Sequence, residues 1–433
     1  MDAMKVGLLG LGVVGGGTWN VLRRNGEEIT RRAGRQIEVV SVAVRDVAKA
    51  RARVGEDVYI SDDPYAVVDD PNIDIVVELI GGTTMAKALV MRAIANGKHI
   101  VTANKALLAH HGTEIFEAAS AQDVMVAFEG AVAGGIPIIK AIREGLTANR
   151  IEWVAGIING TTNYILSEMR TRGLSFDEAL EQAQQLGYAE ADPTADVDGY
   201  DAAQKLTLLA SMAFGIPVQL ERAHVEGIAT LSAIDIAQAE QLGYRIKLLG
   251  ITRRRNDGIE LRVHPTLVPV TSLLANVEDA MNAVLVNGDA VGQTLYYGKG
   301  AGEEPTASAV IADLVDVTRL HTADPGNRVP HLAFQPESMV DTPILPIEDI
   351  YSAYYLRFAV TDEPGVLAEI TREMSLAGIS IGSMIQQPPE QGEATLIFLT
   401  HVALEKNVNR AMMAIETMPF MRSTITRLRV EAF

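Results

Sequence analysis

The run Gly10-Leu11-Gly12-Val13-Val14-Gly15 decides the fold of this chain. It follows an apolar run at residues 5–9 and opens a helix-like stretch. In such a turn the first glycine allows a tight bend, the second lets the backbone approach a pyrophosphate, and the third lets helix and strand pack closely. The run therefore predicts a dinucleotide site on Gly10, Gly12 and Gly15, at the positive end of a helix dipole. A glycine-rich helix start without a ligand is the alternative, which two further glycines disfavour because glycine destabilises helices.

Outward from this turn, the first 129 residues alternate between strand-like and helix-like stretches. Short, β-branched, apolar runs stand at residues 5–9, 37–44, 74–79, 99–102 and 124–128, and helical patterns such as residues 83–96 separate them. Alternation of this kind is typical of a parallel, doubly wound α/β sheet of the Rossmann type.

The middle of the chain has a different pattern. Ser175 and Glu178 form a capping box that predicts a helix ending near Gly187. A second helix is expected at residues 200–214, and turn residues at 256–258 and 287–289 predict β-hairpins. This part of the chain therefore reads as α+β, with an antiparallel sheet.

Beyond residue 335 the pattern changes again. Pro336, Pro343 and Pro346 give the composition of a linker, and the stretches after it follow the order βαββαβ, a ferredoxin-like unit. We therefore expect four parts: a dinucleotide-binding domain at 1–135 that is completed by 303–335, an α+β domain at 136–302, a linker at 336–350, and a ferredoxin-like domain at 351–433.

Composition excludes several classes of protein. A chain of 433 residues is too long to fold around one hydrophobic core, so we expect two or three domains. Its net charge of −18 argues against a nucleic-acid partner. The absence of cysteine excludes disulfides, Cys-ligated metal sites and a thiolate nucleophile. No secretion signal and no apolar run of about 18 residues is evident, so we expect a cytoplasmic protein without a membrane partner.

The residues after the second predicted strand bear on the choice of cofactor. Arg45 comes first and favours a ribose 2′-phosphate, so NADP(H) is the preferred cofactor. Asp46 follows and keeps NAD(H) possible, because an acidic residue there accepts a hydrogen bond from the 2′-hydroxyl. The alternative for Arg45 is a solvated surface charge.

Two lysines stand out as candidates for chemistry. Lys105 follows a predicted strand at the sheet edge where ligands bind, although a solvated loop lysine fits it as well. Lys205 follows a run of carboxylates and lies four residues after Asp201, so the two share one helix face. A partly buried pair of this kind can position the lysine to donate a proton. A surface ion pair in an acidic loop is the alternative.

The carboxylate run itself, residues 190–201, allows two further interpretations. An EF-hand frame fails, because Lys205 stands where the bidentate glutamate belongs. A site for a cationic amine, as on an amino-acid substrate, remains open. Upstream, Gly160 and Thr161 begin a predicted helix whose N-terminus suits a substrate carboxylate, with simple helix capping by Asn159 as the alternative.

These motifs together resemble those of homoserine dehydrogenases over residues 1–335. The similarity rests on the glycine run, on Ala103-Asn104-Lys105-Ala106-Leu107-Leu108, on Asn159-Gly160-Thr161-Thr162-Asn163, on the 190–205 run and on Gly298-Lys299-Gly300-Ala301-Gly302. The tail resembles an ACT regulatory domain, with Asp362-Glu363-Pro364-Gly365-Val366-Leu367 as its first strand-to-helix turn. These resemblances imply that residues 136–302 form the substrate-binding and catalytic domain and that residues 351–433 form a regulatory domain.

The resemblance implies reversible reduction of L-aspartate 4-semialdehyde to L-homoserine by NAD(P)H, on the route to threonine, methionine and isoleucine. It makes Lys205 the proton donor, places Lys105 beside nicotinamide and substrate, and assigns Glu190, Asp196 and Asp201 to the substrate pocket. The implied cofactor contacts are Gly12, Val13, Val14, Lys105, Gly187 and Gly302. The family also carries a monovalent cation, usually sodium, whose implied ligands here are oxygens of Glu129, Val132, Gly134 and Ile136.

Physical reasoning agrees with this activity and leaves rivals open. Hydride addition to an aldehyde builds charge on its oxygen, which a lysine aimed there would stabilise. The related oxidation of the same aldehyde to the acyl level needs a thiolate, which this chain lacks. The rivals are a non-catalytic dinucleotide sensor and a different amino-acid dehydrogenase. For the tail we expect threonine feedback, with a purely oligomerising domain as the alternative. The family suggests a homodimer or homotetramer.

Overall fold

Six parallel strands form the first sheet, in the order β3-β2-β1-β4-β5-β6. The computed structural model describes residues 2–388 and 392–433. The strands are β1 Met4–Leu9, β2 Ile37–Ala43, β3 Tyr59–Ser61, β4 Ile75–Glu78, β5 His99–Thr102 and β6 Val126–Ala127. The predicted doubly wound sheet is confirmed. The strand order reverses between β1 and β4, and ligands of such sheets bind at the carboxyl ends of the strands on either side of that point.

Helices cover both faces of this sheet. They are α1 Val13–Arg24, α2 Gly26–Ala33, α3 Val47–Val54, α4 Tyr65–Val68, α5 Thr84–Ala95 and α6 Lys105–Ala121. Because side chains alternate along a strand, Leu8 of β1 packs into the core that α3 helps to form, and Leu9 packs into the core that α5 and α6 share. Burial on both faces explains why the strands are continuous apolar runs.

The middle of the chain forms a mixed layer of helices and strands. In chain order these are α7 Ile138–Lys140, β7 Ile151–Ile157, α8 Gly160–Arg172, α9 Phe176–Gln185, α10 Thr194–Val197, α11 Tyr200–Phe214, β8 His224–Val225, α12 Ala233–Gln241, β9 Tyr244–Arg254, β10 Ile259–Pro269, β11 Met281–Gly288 and β12 Gly292–Lys299. Ser175 and Glu178 make the predicted capping box of α9, and the predicted helix at 200–214 is α11. Both predicted hairpins are present, as β9–β10 and β11–β12.

Helix α13 Glu303–Leu320 returns to the first sheet and packs along α1. The remaining elements are β13 Tyr351–Thr361, α14 Val366–Leu376, β14 Ile381–Gln386, β15 Glu393–Thr400, β16 Ala403–Leu404, α15 Glu405–Glu416 and β17 Thr426–Val430. The predicted βαββαβ order is confirmed, with the short β16 as an addition that pairs with β13. Among the described residues no helix combines the length and apolar character that crossing a membrane requires.

The C-terminal unit is joined to the middle of the chain by a shared sheet. Strand β17 pairs in parallel with β10, so the described residues form one sheet in the order β12-β11-β7-β9-β10-β17-β13-β15-β14. Tyr355, Ile397 and Leu428 also belong to the hydrophobic core of the catalytic part. The sequence indicated a unit connected through a linker, whereas the structure shows a unit fused to the catalytic sheet.

The proline-rich linker is also held in place. Pro343 O accepts a hydrogen bond from Ile259 N at 2.9 Å, and Leu345 N donates to Ile259 O at 2.8 Å. The Ile344 side chain between them is buried. The spacing of the prolines is typical of a flexible spacer, but peptide groups of this segment form hydrogen bonds with Ile259, the first residue of β10, so the segment is fixed against the sheet.

Candidate active site

Three charged side chains meet where helices α6 and α11 begin. Asp201 Oδ2 accepts a hydrogen bond from Lys205 Nζ at 2.6 Å, and Asp201 Oδ1 lies 3.1 Å from Lys105 Nζ. Lys205 Nζ also donates to the Ile158 carbonyl oxygen at 2.7 Å. Two lysines, predicted as candidates 100 residues apart, thus share one carboxylate.

The surrounding elements fix these side chains. Lys105 is the first residue of α6, directly beyond the carboxyl end of β5, and the Asn104 side chain caps that helix by accepting from Leu107 N at 3.0 Å. Asp201 and Lys205 lie one turn apart at the start of α11, and both are largely buried. The cluster therefore lies at the ligand-binding edge of the first sheet, as the position of Lys105 predicted.

Asn159 links the cluster to helix α8. Its Oδ1 accepts from Thr162 N at 2.8 Å and so caps the helix, while its Nδ2 donates to Asp201 Oδ2 at 2.8 Å and to Asp196 Oδ1 at 2.7 Å. The capping interpretation of this residue is therefore what the structure shows. One amide orients two carboxylates and a helix N-terminus.

Charges in the cluster favour the ionised form of Asp201. Burial alone would raise the pKa of Asp201, but the charges of Lys205 and Lys105 and hydrogen bonds from Lys205 and Asn159 lower it to about 2. Burial raises the pKa of Asp196 despite the hydrogen bond from Asn159, and the charge of Asp201 adds to that rise. Asp201 is thus a permanent counter-ion, whereas Asp196 is held less firmly in its charged form.

The other predicted substrate residues border this cluster to different degrees. Thr161 Oγ1 donates to the Tyr188 carbonyl oxygen at 2.7 Å, which ties the segment after α9 to the start of α8. Gly160 packs against Ala280, whose carbonyl oxygen would lie 2.7 Å from a Cβ at position 160. Glu190 is exposed, and its carbonyl oxygen accepts from Gln184 Nε2 at 3.1 Å. Within the described residues its carboxylate makes no ion pair with the lysines.

The metal interpretation of the acidic run finds no support in the geometry. Within residues 2–388 and 392–433, no three His, Asp or Glu side chains converge as the ligands of a metal ion would. The carboxylates at 196 and 201 are instead occupied by Asn159 and by the two lysines.

The glycine run fits a dinucleotide. Gly10 has φ +95°, and a Cβ on Gly15 would lie 2.2 Å from the Gly10 carbonyl oxygen, so neither position tolerates a side chain. A Cβ on Gly12 would meet no atom within 4 Å, which leaves its backbone open to a ligand at the start of α1. Of the neighbours, Val13 is exposed and Val14 is partly buried. These are the three roles that the sequence assigned to the glycines.

The remaining predicted cofactor residues lie in different places. Gly302, with φ +125°, precedes α13, whose first residue Glu303 packs against Gly17 of α1. Arg45 is exposed just beyond β2. Gly187 follows the C-cap residue of α9, has φ +76°, and precedes Tyr188, whose carbonyl oxygen accepts the hydrogen bond from Thr161. The structure thus sets Gly302 beside α1, whereas it places Gly187 next to the start of α8.

The predicted cation ligands occupy one tight turn. Ala133 and Gly134 both have positive φ, and Gly135 N donates to the Lys299 carbonyl oxygen at 3.0 Å. The Glu129 carboxylate is buried and accepts from the backbone N–H groups of Ile139 and Lys140 at 2.9 and 2.8 Å. Because that carboxylate is already used, the oxygens left for a cation are mainly backbone carbonyls, a set that suits a hard monovalent ion.

The sequence reasoning missed Glu78 at the end of β4. Its buried carboxylate accepts hydrogen bonds from Thr102 Oγ1 at 2.7 Å, Ile80 N at 3.0 Å and Gly81 N at 3.1 Å. Burial raises the pKa of Glu78 in spite of these bonds. Glu78 thereby fixes the loop at residues 80–82, in which the Gly82 carbonyl oxygen accepts a hydrogen bond from Asn104 Nδ2 at 2.7 Å. An acidic residue closing an otherwise apolar strand was the available signal.

Comparisons with known proteins agree with this arrangement. The family model described as homoserine dehydrogenase matches residues 137–315, its NAD-binding domain matches residues 10–129, and the ACT domain model matches residues 354–420. A homoserine dehydrogenase of Pseudomonas aeruginosa is 59% identical over 433 residues, covering 100% of this chain and 99% of that protein.

Solved structures give the same result. The crystal structure of a homoserine dehydrogenase from Thiobacillus denitrificans is 64% identical, with a TM-score of 0.96 over 100% of this chain and 99% of that one. A hyperthermophilic archaeal homoserine dehydrogenase in complex with NADPH is 25% identical, with a TM-score of 0.62 over 73% of this chain and 98% of that one. The chain therefore belongs to the homoserine dehydrogenase family, oxidoreductases that act on a CH–OH group, and carries a C-terminal ACT domain.

Proposed function

We propose that Lys205 is the proton donor in the reduction of L-aspartate 4-semialdehyde to L-homoserine. The observation that carries this proposal is the Lys105–Asp201–Lys205 cluster at the ligand edge of the nucleotide-binding sheet. A bound reduced nicotinamide supplies the hydride to the aldehyde carbon. Lys205 Nζ gives its proton to the aldehyde oxygen as charge develops there, and in the reverse reaction it takes the hydroxyl proton.

Asp201 and Lys105 support that step. Asp201 holds Lys205 Nζ at 2.6 Å and keeps the lysine oriented, while the Ile158 carbonyl fixes it from a second direction. Lys105 adds positive charge next to the reacting oxygen and borders both the nicotinamide and the substrate. Removing water from this cluster strengthens each of these interactions.

The amino-acid end of the substrate binds to the neighbouring segments. Asp196 and Glu190 attract the ammonium group, and the start of α8 at Gly160 and Thr161 receives the carboxylate. The hydrogen bond from Thr161 to the Tyr188 carbonyl supports this arrangement, because it brings the segment of Glu190 next to α8.

NADP(H) is the preferred cofactor in this proposal, with NAD(H) as the alternative. Gly10, Gly12, Val13, Val14 and Gly15 would hold the pyrophosphate, Gly302 would contact the cofactor beside α1, and Gly187 would approach it from the segment after α9. Exposed Arg45 beyond β2 suits a 2′-phosphate, and the archaeal relative was solved with NADPH. Asp46, whose side chain caps α3, is less free to accept from a ribose hydroxyl.

We also propose a sodium ion at the turn of residues 129–136. The oxygens of Glu129, Val132, Gly134 and Ile136 would hold it, and the ion would stiffen the turn against residues 299–301 without taking part in proton or hydride transfer. The support is the packing of Gly134, whose Cβ would lie 2.5 Å from the Gly300 carbonyl oxygen.

Regulation and assembly form the last part of the proposal. We assign residues 351–433 to a threonine-responsive ACT domain, 336–350 to its linker, 136–302 to the catalytic domain and 1–135 with 303–335 to the nucleotide-binding domain. The packing of α13 on α1 supports the last assignment. A cytoplasmic homodimer or homotetramer serving threonine, methionine and isoleucine synthesis is the expected setting.

Initial rates test the cofactor and effector assignments. With L-homoserine as substrate, we expect kcat/KM to be higher for NADP⁺ than for NAD⁺, and we expect millimolar threonine to lower the rate. Equal or inverted cofactor preference would remove the role given to Arg45. A rate that saturating threonine leaves unchanged would leave the C-terminal domain with an assembly role only.

A further inference from the structure

An ion pair connects the C-terminal domain to the middle of the chain beside β10. Arg429, on β17, binds both carboxylate oxygens of Glu226 at 2.9 Å each. The same guanidinium binds Glu405 of α15 at 2.9 and 2.6 Å, and the Tyr354 hydroxyl donates to Glu405 at 2.6 Å. Arg429 and Glu405 are almost fully buried. The arginine is thus fixed within its own domain while its outer edge holds Glu226.

The Glu226 side also has a defined position. Its backbone N–H donates to the Val263 carbonyl oxygen at 2.8 Å, and His224 Nε2 lies 2.7 Å from its carboxylate. Burial would raise the pKa of Glu226, but the bonds from His224 and Arg429 hold it well below the usual range. A bidentate arginine–carboxylate pair of this kind fixes orientation as well as distance.

The residues after Glu226 contact the turn that carries Asp196, one of the carboxylates proposed to bind the substrate. A Cβ on Gly227 would lie 2.4 Å from the Val197 carbonyl oxygen, and Ile228 N donates to that same oxygen at 2.8 Å. A Cβ on Gly199 would lie 3.4 Å from the Glu226 carbonyl oxygen. The peptide at Glu226–Ile228 is therefore packed directly behind the turn at residues 193–199.

That turn leads straight into the catalytic cluster. It contains Asp196 and ends at Gly199, which has φ +87° and forms the N-cap of α11, two residues before Asp201. A shift of the turn moves Asp196 and the first turn of α11 together, because Gly199 O accepts from Ala203 N at 3.0 Å.

We infer that Arg429 and Glu226 are positioning residues through which the C-terminal domain holds the 193–199 turn in the geometry that Asp196 and Asp201 require. This inference rests on the proposed function, because its kinetic test measures the oxidation of L-homoserine. Neither residue belongs to the Lys105–Asp201–Lys205 cluster; they act through the Glu226–Ile228 peptide. A movement of β17 would therefore shift the Glu226–Ile228 peptide and, with it, the carboxylates of Asp196 and Asp201.

The experiment compares two substitutions that each remove one ion pair between the domains. Glu226→Ala breaks the pair behind the turn. Arg357→Ala breaks the pair with Asp235, at 2.6 Å, which lies at the start of α12, a helix that contacts α8 and β9. For Glu226→Ala we expect kcat/KM for L-homoserine to fall fivefold or more with an unchanged KM for the cofactor, and for Arg357→Ala a change within twofold.

Glu226→Gln serves as the conservative variant, since its amide oxygen still accepts one hydrogen bond from Arg429, and we expect it to recover most of the lost kcat/KM. A wild-type kcat/KM for Glu226→Ala, or an equal fall in kcat/KM for both alanine variants, would overturn the inference.

Hydrogen exchange gives a readout that does not depend on activity. The amides at 193–201 should exchange faster in Glu226→Ala and not in Arg357→Ala; unchanged exchange would also overturn the inference, whereas an inactive wild-type enzyme would overturn only the proposed function.

Discussion

At the scale of single residues, the candidate site depends on one carboxylate shared between two lysines. Asp201 faces Lys105 on one oxygen and Lys205 on the other, and Asn159 donates to it from a third side. The four-residue spacing of Asp201 and Lys205 made their contact predictable, because such residues share a helix face. Their meeting with Lys105 depends on tertiary packing between α6 and α11, for which the sequence has no local signal.

The Asp201→Asn substitution tests the orienting role of this carboxylate. Both lysines would lose their counter-ion, so we expect kcat to fall about 100-fold, within the range that general acid catalysis spans. Because Asp201 acts through Lys205, the double variant Asp201→Asn/Lys205→Ala should have a kcat only slightly lower than that of Lys205→Ala alone. Steady-state rates of the two single variants and the double variant give this cycle.

Glu168→Gln is the matched control. Glu168 also pairs with a basic residue four positions later, Arg172, but at the far end of α8. We expect near wild-type activity from it. Fully additive losses in the Asp201 and Lys205 cycle would show that the two residues act independently.

At the scale of elements, the glycine run and the capping boxes show which features of the fold local sequence can predict. The roles of Gly10, Gly12 and Gly15 and the box at Ser175 follow from chain geometry within a few residues, and the structure contains them. A second capping box joins Ser232 and Asp235 of α12, with aspartate in place of the glutamate or glutamine of the usual pattern. The pairing of β10 with β17 joins residues more than 150 positions apart, and such pairing has no local signature.

Two alanine substitutions in the glycine run should separate ligand binding from folding. Gly12→Ala adds a methyl group where no protein atom lies within 4 Å, so we expect normal thermal stability and a KM for the cofactor raised about tenfold or more, about 1.4 kcal/mol of lost binding. Gly15→Ala drives a methyl group against the Gly10 carbonyl oxygen and should lower stability by about 1–3 kcal/mol.

Thermal unfolding and cofactor titration of both variants provide the measurement. If Gly12→Ala bound cofactor as the wild type does, the backbone at this position would not approach the pyrophosphate, and the dinucleotide site would have to lie elsewhere.

At the scale of the whole molecule, the C-terminal unit is an extension of the catalytic sheet. Buried charged groups line the junction, among them His264, whose Nε2 lies 2.6 Å from Arg262 Nη1. The sequence indicated the unit and its internal order correctly, since both are local patterns. It could not reveal the junction, because charged residues such as Arg429 and Glu431 look like surface residues until their partners are known.

The junction should be sensitive to acid through His264. Burial lowers its pKa well below the usual value, and repulsion from Arg429 and Arg262 lowers it further, against the opposing charge of Glu226. The folded state keeps the neutral ring, whereas the unfolded chain binds a proton below a pH of about 6.5. Stability from this group is therefore complete above that pH and declines as the pH falls below it.

Chemical unfolding of the wild type and of His264→Gln at pH 7.5 and 5.5 measures this effect. The variant has no titrating ring, so it should lose less stability between the two pH values than the wild type does. Equal losses would mean that His264 is protonated in the folded protein as well.

The central claim is that Lys205 transfers the proton at a site built by Asp201 and Lys105. The most direct measurement is the steady-state rate of L-homoserine oxidation by the wild type and by Lys205→Ala, with the KM for the cofactor determined for each. We expect the wild type to turn over and the variant to lose about 10²–10⁴-fold in kcat with the same KM for the cofactor. A Lys205→Ala enzyme that oxidises L-homoserine at the wild-type rate would contradict the account.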